Sequence, residues 1–157
     1  MELPSDTFCA LPWSHIQISM QGIPRPCCRF TDSPYEKYKN KPIDAFFSYE
    51  ADNIRKKMLD GGKINGCSKC YLEEKANITS TRQRANIKYY EGKYNNDAIK
   101  NKVKNNSPTI FFLEVAHSNV CNFKCVTCKP QASSSWLPDA KQMWPGKFDN
   151  IDARNNI

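Results

Sequence analysis

The sequence predicts an α+β protein in two parts: a small cysteine-rich N-terminal module of β-hairpin plus helices, then a single strand–loop–helix unit. Three observations lead there. Ile16, Ile18 and Met20 alternate with Gln17, Ser19 and Gln21, which is the period of a half-buried strand. Residues 42–60 carry apolar side chains at helical spacing and stop at two glycines. Residues 109–116 form an aromatic and β-branched run that leads straight into three closely spaced cysteines.

Taken in order, residues 9–28 read as a β-hairpin held between two cysteines. Gly22 supplies its turn, and Pro24 and Pro26 keep the return segment extended and at an edge. Such a hairpin brings Cys9 and Cys27 near each other. Pro42 suits a first helical position; Phe46, Phe47, Ile54, Met58 and Leu59 can share one face, and Gly61-Gly62 ends the helix. A tight knuckle follows, Gly66-Cys67-Ser68-Lys69-Cys70. Residues 71–94 are helix-prone and highly charged. Residues 95–108, rich in Asn and Lys and ending in Ser107-Pro108, read as a linker, which divides the chain into 1–104 and 105–157. The run at 109–116 predicts a strand buried on both faces, as in a parallel sheet. The cysteine loop and a polar helix start, Ser133-Ser134-Ser135-Trp136, complete the order strand, loop, helix.

A chain of 157 residues fits one ordinary domain, or a small one with part of another. Its longest apolar run, Ile110-Phe111-Phe112-Leu113, is far too short to span a bilayer. Residues 1–6 lack the basic and apolar regions of a secretory signal. A cytoplasmic location without a membrane partner is therefore expected. In that compartment eight cysteines do not make a disulfide framework, and thiolates as crowded as Cys67/Cys70 and Cys121/Cys125/Cys128 point to a shared metal or cluster. The net charge of +7 would suit a nucleic acid, yet acidic residues lie among the basic ones and no aromatic–basic ladder is present, so a solvated surface is expected.

Cys121-x3-Cys125-x2-Cys128 offers three thiolates to a four-iron cube, which leaves one iron as a coordination site for a small molecule. Asn122 readily takes the turn conformation that such a loop needs. The segment Ser118-Asn119-Val120-Cys121-Asn122-Phe123-Lys124-Cys125-Val126-Thr127-Cys128, placed after a strand, closely resembles the radical SAM signature. That resemblance implies that Cys121, Cys125 and Cys128 ligate a [4Fe–4S] cluster whose open iron takes S-adenosylmethionine. The family reduces this cluster to release a 5′-deoxyadenosyl radical that abstracts hydrogen from a substrate. It also implies a contact of residue 127 with the adenine of S-adenosylmethionine. The family usually has an aromatic residue there, whereas this chain has Thr127.

Cys9-x12-Gly22-x4-Cys27, with Phe8-Cys9-Ala10-Leu11-Pro12-Trp13 and Pro26-Cys27-Cys28 around it, resembles the opening of the SPASM and twitch modules that carry auxiliary iron–sulfur clusters in radical SAM proteins. The resemblance implies an auxiliary cluster on Cys9, Cys27, Cys67 and Cys70, with Cys28 left over and able to replace Cys27. A four-cysteine zinc knuckle would satisfy the same thiolates, and then the chain would be a zinc-stapled, non-catalytic interaction module. Residues 1–104 are thus expected to be a twitch-like module and 105–157 the first strand–loop–helix of a truncated radical SAM (βα) barrel.

A complete (βα)8 barrel takes about 250 residues. The residues after Cys128 leave room for one helix and little more, so the barrel is expected to be truncated, or completed by a second chain, and the chain inactive alone. The implied partners are an external electron donor and a substrate, with peptide or protein favoured over RNA. His117 reads as a strand-end side chain and His15 as a solvent-facing one, the tryptophans as packing groups, and Arg82 and Arg84 as a solvated helix face.

Overall fold

The computed structural model describes residues 3–91 and 96–151. Residues 1–2, the end of the helical stretch at 92–94, residue 95 of the predicted linker and the tail at 152–157 lie outside the described residues. The fold is α+β, with helices packed around a three-stranded mixed sheet.

Pro12 starts a single helical turn, α1 (Leu11–Ser14), whose backbone becomes extended at His15 and continues as β1 (His15–Ile18). A turn at Gly22 returns the chain as β2 (Pro24–Arg25), antiparallel to β1 with Gln17 opposite Arg25. Gly22 has φ +74°, a left-handed value that suits glycine. A Cβ there would also meet the Asn40 side chain, which would have to shift. The third strand, β3 (Phe112–Val115), arrives from the far end of the chain and lies parallel to β1, pairing Leu113 with Ile16 and Glu114 with Gln17. β1 is therefore the central strand. This explains why Gln17, expected to face water, is buried: Arg25 and Glu114 flank it on its own face of the sheet.

The strand in 109–116 and its parallel pairing are present, but its burial on both faces is not. β3 lies at the sheet edge, and Phe112, Leu113 and Val115 are exposed. The ring of Tyr89 packs on Phe112, at 4.5 Å between centroids.

The helix expected at 42–60 is two helices, α2 (Pro42–Phe46) and α3 (Tyr49–Leu59). Ser48 breaks it by adopting an extended backbone and accepting the Ala51 N–H at 3.2 Å as an N-cap, with Glu50 and Asp52 in the first turn behind it. Phe47 consequently faces water while Phe46 joins the core. The stretch from 71 is also divided. α4 (Ser68–Lys75) ends in a Schellman motif, with Ile78 N–H donating to Glu73 C=O at 2.8 Å around Asn77 at φ +57°. A reciprocal capping box between Ser80 and Gln83 then opens α5 (Thr81–Ala85), which runs on as a π-helical segment, Asn86–Glu91.

The predicted linker contains a helix, α6 (Asn96–Lys104). Its Ile99 and Val103, four residues apart, enter the core beside Phe8, Trp13, Ile16 and Met58, while lysines and asparagines cover the other side. Two apolar residues were enough to fix it, and the polar composition concealed them. After the cysteine loop, a 3₁₀ turn (Ser134–Trp136) leads into α7 (Leu137–Met143). Among the described residues no helix is long and apolar enough to cross a membrane.

The core is tied by a buried guanidinium. Arg55, 2% exposed, donates to Pro12 C=O at 2.8 Å and Phe46 C=O at 2.6 Å and lies 4.7 Å from the centre of the Phe46 ring. One side chain thereby joins α1, α2 and α3. Replacing Arg55 by Met leaves two buried carbonyls without donors, and a loss of about 3 kcal/mol is expected, read as a lowered denaturant midpoint at unchanged m-value. An unchanged midpoint would contradict this account.

Candidate metal centre

Cys9, Cys27, Cys67 and Cys70, which lie up to sixty-one residues apart in sequence, line one cavity together with Phe30 and Gly66. Each is placed by a separate device. The backbone on either side of Cys9 is held by Asn86, 2% exposed, whose Oδ1 accepts Ala10 N–H and whose Nδ2 donates to Phe8 C=O, both at 2.9 Å. Cys27 follows β2 in a turn closed by Phe30 N–H on Cys27 C=O at 3.1 Å. Cys67 is the N-cap residue of α4 and Cys70 sits in its first turn. Gly66 brings that knuckle onto Phe30: a Cβ would strike the ring, and Thr31 N–H donates to Gly66 C=O at 3.0 Å.

Withdrawal from water makes these thiols weak acids. Burial, aided by the neighbouring sulfurs, raises Cys9 well above the usual range, Cys27 to about 11 and Cys67 to about 12. Opposing influences are already in place: the backbone N–H groups of Arg29 and Phe30 at Cys27, that of Leu11 at Cys9, and at Cys67 the charge of Arg82 and the Tyr71 hydroxyl. A cation entering the cavity would exchange the thiol protons for its own charge, so loading releases protons. Among the described residues no three His, Cys, Asp or Glu side chains are gathered closely enough to hold one ion. A single zinc would require the four thiols to contract around it, with Zn–S near 2.3 Å, whereas a cluster gives each thiolate its own iron.

Two guanidiniums complete the wall, both held by α4. Arg82, expected on a solvated helix face, is 7% exposed and pairs with both oxygens of Glu74, at 3.0 and 2.5 Å, while donating to Asp6 and Phe8 carbonyls at 2.7 and 2.8 Å. Burial works to raise Glu74, but Arg82 and Ser80 outweigh it and hold the carboxyl below the usual range. On the neighbouring side Arg29 pairs with Glu73. Arg29 Nε and Glu73 Oε2 are both buried without a partner among the described residues. Four thiols on one cavity, with backbone N–H groups directed at Cys9 and Cys27, fit an anionic sulfur-rich group there.

Cys28 is exposed and turns elsewhere. Burial, then the Glu114 carboxylate on β3, raise its thiol, and His15 Nε2 lies 3.5 Å from the same carboxylate. His15, expected to face solvent, is largely covered, with its Nδ1 at 2.9 Å from Pro26 C=O.

Cys121, Cys125 and Cys128 follow β3 on one loop, with Cys125 exposed and the other two half-buried. Cys128 N–H donates to Cys125 C=O at 2.9 Å, and Phe123 N–H points at the Cys121 sulfur at 3.4 Å. The loop is pinned by the segment that the sequence marks only as a helix start. Ser134 Oγ accepts Cys121 N–H at 3.1 Å, Ser135 donates to Cys121 C=O at 2.5 Å, Ser133 to Phe123 C=O at 2.7 Å, and the Trp136 indole to Cys125 C=O at 3.2 Å. Thr127 and His117 are exposed.

Sequence reasoning missed Asn86, Glu73, Glu74 and the serine run as parts of these sites. The adjacent carboxylates after Cys70, at the spacing of one helical turn, were the available signal for the arginine partners. Compared with protein-family models, curated proteins and solved structures, the chain gives no match.

Two outcomes follow from the geometry. Arg82→Ala strands Glu74 beside the cavity and should destabilise the fold by about 3 kcal/mol, with Arg82→Lys recovering part of it, measured by chemical denaturation. The raised thiols stabilise the metal-free fold fully below the unfolded thiol value of about 8.5, and that contribution is lost as pH rises through their folded values. The urea midpoint of the metal-free protein should therefore fall between about pH 8 and pH 10.5; a flat profile would contradict the burial argument.

Proposed function

We propose that this chain is the front of a radical SAM enzyme. In this reading residues 1–104 are a twitch-like module, residues 105–157 begin the (βα) barrel, and further strands, from a longer chain or a second one, would cover the exposed face of β3. Cys121, Cys125 and Cys128 would hold the [4Fe–4S] cluster that takes S-adenosylmethionine, with Thr127 beside the adenine. Cys9, Cys27, Cys67 and Cys70 would hold an auxiliary iron–sulfur cluster. With an external electron donor, the bound cluster and S-adenosylmethionine supply 5′-deoxyadenosyl radical chemistry, directed at a peptide or protein.

The observation that carries the reading is the three-thiol loop itself, set directly behind a strand that runs parallel to its neighbour. Loops at the carboxyl ends of parallel strands are where (βα) barrels place their chemistry. The chain's own residues have a defined task there: Ser133, Ser134, Ser135 and Trp136 fix the loop backbone through its carbonyls and the Cys121 N–H, which leaves the sulfurs to a ligand.

Anaerobic iron, sulfide and zinc analysis with a visible spectrum tests the proposal on the wild type and on Cys121→Ala/Cys125→Ala/Cys128→Ala. About eight irons per chain are expected, falling to about four in the triple variant with a brown cluster retained. Stoichiometric zinc without visible absorption would sink the radical SAM reading and leave a zinc-stapled interaction module.

A further inference from the structure

Serines just before a helix ordinarily cap it, their oxygens accepting the first free N–H groups. Ser133, Ser134 and Ser135 stand in that position and are used otherwise. Neither the 3₁₀ turn Ser134–Trp136 nor α7 carries a side-chain cap. All three hydroxyls reach back to the backbone of the three-thiol loop, and Ser134 makes the most of the contact. Its Oγ accepts Cys121 N–H at 3.1 Å and donates to Cys121 C=O at 3.3 Å, while its own N–H donates to Asn119 C=O at 2.7 Å. One hydroxyl thus holds both polar backbone groups of one cysteine. Ser135 adds a second donor to the same carbonyl at 2.5 Å, and Ser133, 1% exposed, fixes Phe123 C=O at 2.7 Å. None of these bonds uses a sulfur. The other two cysteines are held less: Cys125 through its carbonyl, by the Trp136 indole at 3.2 Å, and Cys128 through its own N–H on Cys125 C=O at 2.9 Å.

We propose that Ser134 is the positioning residue that makes Cys121 the anchored ligand of the loop, and so sets how slowly the loop gives up the iron it holds. This rests on the iron–sulfur reading of Cys121, Cys125 and Cys128. A thiolate that leaves its iron returns readily if its backbone has not moved. With N–H and C=O both held, Cys121 swings only about its side-chain bonds. Without the hydroxyl its peptide can turn as well, and a loop already exposed at Cys125 opens further to water. Groups that orient a metal ligand carry about 10–100-fold in affinity. The lower end applies here, because Ser135 still holds the Cys121 carbonyl.

The test is the release of iron from the full chain, reconstituted anaerobically, to an excess of bathophenanthroline disulfonate. Cys121→Ala/Cys125→Ala/Cys128→Ala identifies the loop phase as the one it lacks, and the phase it retains, from the N-terminal cavity, is the internal control. Ser134→Ala should shorten the half-life of the loop phase about tenfold with the control phase unmoved. Ser134→Thr, which keeps a hydroxyl, should restore it. An unchanged loop phase in Ser134→Ala overturns the inference alone, and so does an equal shortening of both phases, the mark of a merely structural role. If Ser134→Ala loads only the N-terminal cavity, Ser134→Thr decides: a loaded loop supports the inference and an empty one overturns it. If Ser134→Ala does not fold, Ser135→Ala takes its place, since it removes the second donor to the same carbonyl: a loop phase shortened by itself supports the inference, and an unchanged one overturns it. A parent chain that takes up zinc but no iron overturns the reading beneath, and the inference with it.

Discussion

Sulfur anions cannot be taken out of water without compensation, and four cysteines of this protein are withdrawn around one cavity. Left protonated, they are ordinary buried groups whose pKa values are raised; ionised, they need a cation that offsets much of their charge. Much of the N-terminal half can be understood as the apparatus that holds them there. Asn86 clasps the chain around Cys9, Gly66 lets the knuckle close on Phe30, and α4 carries two thiols at its start and two carboxylates a turn later. Neither carboxylate lines the cavity. They hold the two arginines that face it.

Each arginine at the cavity is paired with its own glutamate, so the wall adds little net charge. Arg55 solves a similar problem in the core by different means, satisfying two carbonyls without any carboxylate partner.

The three-thiol loop follows another logic. It is exposed, it lies behind an edge strand, and it is restrained through its backbone rather than by burial of its sulfurs. β3 carries Phe112, Leu113 and Val115 into solvent, so the sheet presents an apolar edge next to that loop. Cys9 and Cys70 of the N-terminal cavity are buried, whereas the loop cysteines are half-buried or exposed.

Local chemistry was legible from the residues alone. Cysteine spacing marks the Cys67/Cys70 pair and the Cys121/Cys125/Cys128 loop, Gly22 marks the hairpin turn, and the β-branched run marks β3, because each depends on a few neighbours in sequence. Partnerships between distant segments were not legible. Arg82 looks like a surface residue until Glu74 and the carbonyls of Asp6 and Phe8 are placed around it. Ile99 and Val103 are too sparse to reveal a core helix in a polar stretch, and Gln17 is buried only because β1 lies between two other strands. Spacing along the chain settles which atoms can bind. The tertiary structure alone decides which of them are dry, because burial and pairing depend on what arrives from elsewhere in the chain.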